Sequence, residues 1–107
     1  MRKPEECTEK AHIREEIDRI DKSLVALFAQ RDAYVRRMAE IKSDPSEARV
    51  EARVKDVLDK VLAELEAVDL APDLYMQFWE ELIEVNIDYE AATIAARLAD
   101  KNDTPGA

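Results

Sequence analysis

Residues 12–43, HIREEIDRIDKSLVALFAQRDAYVRRMAEIKS, carry apolar side chains at Ile13, Ile17, Ile20, Leu24, Leu27, Phe28, Tyr34, Val35, Met38 and Ile41. Steps of three and four residues place them on one face of an amphipathic helix. No proline or glycine interrupts the run before Pro45, whose ring disfavours helical dihedrals at Asp44. The pattern predicts a first helix over about 10–43. At 1.5 Å per residue it is about 45 Å long, against a radius of gyration of roughly 13 Å for a compact monomer of this size. Part of the stripe therefore needs cover from another chain, and a two-fold homodimer with the long helices side by side is the simplest closed arrangement.

Outward from this segment the same periodicity returns twice. Val50, Val54, Val57, Leu58, Val61, Leu62 and Leu65 predict a second helix over about 46–68, opened by Pro45 or Ser46. Asp69-Leu70-Ala71-Pro72 breaks it. Leu74, Phe78, Leu82, Ile83, Val85, Ile87, Ala91 and Ile94 predict a third over about 72–98, with Pro72 or Asp73 in its first turn. Residues 100–107 read as a disordered tail. A single glycine and 38% charged residues suit helices and speak against strands, so the expected class is all-α, one three-helix domain over residues 1–107.

Charge and cysteine content narrow the partners. A net charge of −9 lacks the basic surface that nucleic acid requires. No apolar run approaches the roughly 20 residues that span a bilayer. The start MRKPEECTEK has no apolar stretch of the signal-peptide kind, and the lone Cys7 permits no internal disulfide, so the expected location is the cytoplasm. With one histidine and one cysteine, a Cys/His zinc site cannot form within a chain, and no metal is implied. Glycine-rich phosphate loops are missing, and Phe78 and Trp79 read as core aromatics.

Three cations on the first helix are candidates for chemistry: Arg14, Arg31 and Lys42. Arg31 and Lys42 are about three turns and about 16 Å apart on one face, where long side chains could converge on a small dianion. Arg14 lies about 25 Å before Arg31 and roughly a quarter turn round, so it reaches a site shared with Lys42 only from a partner subunit. On an arbitrary helix all three would be solvated or paired beside Glu15, Asp32 and Glu40. Arg49 and Arg53, one turn apart among Glu47 and Glu51, read by default as an exposed face. Asn86 and Glu90, one turn apart among Leu82, Ile83, Val85 and Ile87, face the core and need partners or a ligand.

Lys3-Pro-Glu-Glu-Cys-Thr8, Ile13-Arg-Glu-Glu-Ile-Asp-Arg-Ile-Asp21, Gln30-Arg31, Ile41-Lys42 and Arg53-Val54 together resemble the all-helical (type II) chorismate mutases. The likeness covers roughly 3–95 and is strongest to the branch containing isochorismate pyruvate lyases. It implies an intertwined three-helix homodimer that needs no cofactor and converts chorismate to prephenate for aromatic amino-acid biosynthesis, or isochorismate to salicylate and pyruvate. By position, Arg14 of one subunit with Arg31 and Lys42 of the other resembles the clamp on the two substrate carboxylates and the ether oxygen. Arg53 resembles a further carboxylate contact near a mobile loop at 43–49, and Asn86 and Glu90 the polar positions that close the site. Lys42, Glu90 and Arg31 would carry catalysis; Arg49 has a less clear counterpart.

Three positions depart from the family pattern. Many mutases place a glutamate where this chain has Val54, to bind the ring hydroxyl of chorismate, and Val50 also replaces an acidic or polar neighbour; both changes suit the lyase-like branch. Glu90 stands where bacterial members commonly carry a glutamine that donates to the ether oxygen. A carboxylate has no proton to donate, so the chemistry calls for protonated Glu90, favoured by burial or by acidic pH. The alternative is an ionised Glu90 paired with Lys42 in a weak enzyme.

Overall fold

The computed structural model describes residues 1–102, which form three helices and no strand. They are α1, Lys10–Ile41, α2, Glu51–Ala67, and α3, Pro72–Asn102. The chain divides into two compact units, Met1–Tyr34 and Val35–Ala107. No described helix is long and apolar enough to cross a membrane.

In the first unit a short 3-10 turn, Pro4–Glu6, precedes α1. The Arg2 guanidinium donates to Glu15 Oε2 at 3.0 Å, and the Arg2 amide donates to Glu16 Oε1 at 3.4 Å, tying the terminus to the helix. Arg19 pairs with Glu16 at 2.8 Å, and this contact holds the Glu16 carboxyl below the usual glutamate range. No residue of this unit is buried. Its apolar stripe of Ile13, Ile17, Ile20, Leu24, Leu27 and Phe28 stays about half exposed.

In the second unit α1 ends at Ile41, with two residues between it and the Asp44-Pro45 pair. Asp44 is extended, as a residue before proline prefers, and its carboxylate accepts from the Ser46 amide at 2.8 Å and the Ser46 hydroxyl at 2.7 Å. These bonds close a 3-10 turn over Pro45–Ala48 where the periodicity predicts the start of a helix. Arg49 and Val50 are then extended, and α2 begins only at Glu51. The correction has a tertiary cause: Ala48 is drawn into the core with Ile83 and Ile87, and the Arg49 guanidinium is held by Glu84 of α3. Both contacts compete with continuing the helix through this stretch.

α2 closes in a left-handed cap without glycine. Asp69 takes φ 56°, the Leu70 amide donates to the Leu65 carbonyl at 3.0 Å, and the Asp69 amide donates to the Glu66 carbonyl at 3.2 Å. Aspartate is among the few residues that tolerate this region. α3 opens with Pro72, where a missing amide costs nothing, and runs past the expected end near 98 and through 100–102, which the tail was expected to include. Ala99, Asp100 and Lys101 offer no breaker, so the fading apolar pattern did not mark an end. Residues 103–107 of the expected tail lie outside the described residues.

The core of this unit is Ala48, Ile83 and Ile87, with Val54, Val57, Leu58 and Ala91 packed against it. Ala39 and Ile94 are wholly buried. Phe78, expected in the core, is exposed at 58% and meets Tyr75 edge to face at 5.7 Å.

Candidate active site

Glu90 is the only charged residue buried among those described, and it follows Ile83 and Ile87 on the inner face of α3. Lys42, the first residue past α1, sends its ammonium to 3.1 Å from Glu90 Oε1, with the two side chains 16% and 10% exposed. The distance makes an ion pair, yet Oε1 receives no aligned hydrogen bond. A carboxylate taken out of water is normally both charge-paired and hydrogen-bonded. Glu90 has the first and lacks the second at Oε1, so this oxygen can still accept a hydrogen bond or, if protonated, donate one. The contact is the one expected in the alternative of an ionised Glu90.

Asn86 lies one turn before Glu90 on α3 and is half-buried. Ser43, next to Lys42, donates through its hydroxyl to Glu47 Oε1 at 3.0 Å, and with the Asp44–Ser46 bonds this ties the 43–48 stretch into a turn. The Asp44 carboxyl is held below the usual aspartate range by these Ser46 donors, the hydroxyl first.

Other expected residues are placed elsewhere. Arg53 is exposed and pairs with Asp56 of its own helix at 2.5 Å. Asp56 also receives Lys60 at 3.1 Å, and Lys60 and then Arg53 hold its carboxyl below the usual range. Arg49 is paired with Glu84 and, at 3.5 Å, with Glu51; Glu84, the first cause, pushes the guanidinium further towards its charged form. Arg14, exposed, and Arg31, half-buried, stand on α1 within the Met1–Tyr34 unit.

Val54 packs against Ala48, Ile83 and Ile87, so this position offers a substrate neither donor nor acceptor. Among the described residues, no three His, Cys, Asp or Glu gather as metal ligands do.

Sequence reasoning missed Arg97. Its guanidinium donates through Nη1 to the carbonyls of Ala39, at 2.6 Å, and Glu40, at 2.8 Å, and through Nη2 to the carbonyl of Lys42. The signal was present: Glu90, Ile94 and Arg97 follow steps of four and three, which set them on one face of α3.

The family model for chorismate mutase type II matches residues 13–91, and the chain belongs to that family. Its namesake activity is the rearrangement of chorismate. A comparison with the curated proteins finds no match.

Proposed function

We propose that this protein is a chorismate mutase, converting chorismate to prephenate by a concerted rearrangement at a site built around Lys42 and Glu90. The observation that carries this is the buried pair itself: an ammonium and a carboxyl side by side, with Glu90 Oε1 lacking an aligned partner. In the rearrangement the ether C–O bond breaks as a C–C bond forms, and negative charge grows on the ether oxygen. Lys42 and protonated Glu90 stabilise that charge, and the protein supplies orientation and electrostatic preorganisation, with no nucleophile, base, metal or cofactor. Protonation of Glu90 also removes an anion that would repel a dicarboxylate and frees Lys42 to turn to the oxygen.

The carboxylates of the substrate are assigned to Arg31 and to Arg14 of the partner subunit, with Arg53 and Asn86 completing the site. Arg53 would leave Asp56, an exposed ion pair of the kind that contributes little and is readily exchanged. The homodimer implied here is supported by the exposed α1 stripe, since a helix face of isoleucine and leucine left in water is unfavourable at about 25 cal/mol per Å². A cytoplasmic location goes with this function and suits a chain whose lone cysteine makes no internal disulfide.

Val54 favours a second reading. With an apolar side chain where a hydroxyl partner is expected, chorismate loses a contact, and isochorismate becomes the competing substrate. In the same clamp a ring hydrogen moves to the enolpyruvyl methylene as the C–O bond breaks, leaving salicylate and pyruvate.

Turnover of chorismate and of isochorismate, followed from about pH 4.5 to 8.5 in the wild type and Glu90→Gln, tests both. Prephenate formation that falls as pH rises, restored at neutral pH by glutamine, is the expected result. Salicylate and pyruvate with little prephenate would reassign the enzyme as a lyase. Turnover of neither leaves a non-catalytic helical interaction protein.

A further inference from the structure

We propose that Arg97 is a positioning residue for Lys42, holding its backbone so that the ammonium meets Glu90 and the ether oxygen of the substrate; this rests on the active site proposed above. A helix leaves its last carbonyls without intrahelical donors, and the usual remedies are a glycine cap or a basic residue in the last turn. α1 has neither: its last turn holds no basic residue, and the only glycine of the chain is Gly106. The Lys42 amide serves the carbonyl of Met38 at 3.0 Å. Arg97 serves those of Ala39, Glu40 and Lys42 from α3.

Lys42 is therefore gripped at three points. Its amide is in the last helical hydrogen bond, its carbonyl is held by Arg97, and its ammonium is held by Glu90. The last two grips come from one face of one helix, where wholly buried Ile94 lies between Glu90 and Arg97. Ala39, also wholly buried, has no side chain beyond Cβ to obstruct the guanidinium. Arginine suits this place because its planar fork can serve several carbonyls at once, whereas lysine presents a single point of charge. A small displacement of Lys42 would weaken its contact with a developing charge far more than it would weaken substrate capture, which is assigned to the arginines.

The test is the kinetics of Arg97→Met and Arg97→Lys beside the wild type, with helix content followed by circular dichroism. The expected result is a kcat roughly ten- to a hundredfold lower in Arg97→Met at unchanged helix content, with KM altered by less than about threefold. Arg97→Lys recovers only part of the loss. A folded Arg97→Met with the kcat of the wild type overturns the role of Arg97 and leaves the active site standing. If the methionine variant does not fold, Arg97→Lys decides: lowered kcat supports the role, and wild-type kcat overturns it. A wild type that turns over neither chorismate nor isochorismate brings down the active site and the positioning role together.

Discussion

The Glu90 carboxylate in mid-α3 and the Lys42 ammonium just past α1 stand 3.1 Å apart, and little of either reaches solvent. Removing one partner leaves the other buried with no counter-charge, which is costlier than removing both. Lys42→Met is expected to lower stability by about 3 kcal/mol at neutral pH, and the double variant Lys42→Met/Glu90→Leu to recover most of it. Urea denaturation of the three proteins checks this; equal stability of the wild type and Lys42→Met would mean that the pair carries no structural weight.

Arg31 separates an enzyme from a scaffold. Arg31→Ala should reduce kcat/KM by about a hundred- to a thousandfold, the usual cost of one charge-stabilising donor, while oligomeric state and helix content persist. Steady-state kinetics with analytical ultracentrifugation reads both quantities. Loss of turnover together with dissociation would assign Arg31 to assembly instead.

Glu84 sets a pH dependence on the surface. Arg49, by its hydrogen bond first and its charge second, holds the Glu84 carboxyl below its ordinary value of 4.5. A depressed carboxyl contributes stability that is present above the unfolded value and lost as pH falls through the folded one. The stability difference between the wild type and Glu84→Gln should therefore be constant near neutrality and shrink as pH falls below about 4.5. Thermal melts of both proteins from neutral pH downward, repeated at high salt, measure it; a difference that grows in acid contradicts the assignment.

The α1 stripe makes a prediction about assembly. The wild type should sediment at twice the 12.2 kDa chain mass, and Leu24→Glu, which puts a charge among Ile20, Leu27 and Phe28, should shift it towards the monomer with loss of helix. A Leu24→Glu protein with unchanged mass and melting temperature would mean that the stripe is covered in some other way.

The polar positions of the site were legible where a local pattern marks them. Glu90 was visible because a carboxylate in phase with Ile83 and Ile87 must face the interior, and Lys42 because it follows the last apolar residue of a long stripe. Their mutual contact is only one of the options the sequence leaves open, since periodicity assigns a face and says nothing of which face it meets. Arg97 obeys the same spacing as Glu90 but is not legible as part of the site, because its partners are backbone carbonyls that carry no signature in the sequence.

By itself the sequence determined an all-α chain, the three helices and the breaks at Asp44-Pro45 and Asp69-Pro72, because helical periodicity and the geometry of proline act over one or two turns. The tertiary structure alone decided that α2 starts at Glu51, that Arg49 pairs with Glu84, and that Arg97 caps α1. Each of these joins residues far apart in the chain, where burial of Ala48 and the hydrogen bonds owed to the carbonyls of Ala39 and Glu40 outweigh local preference.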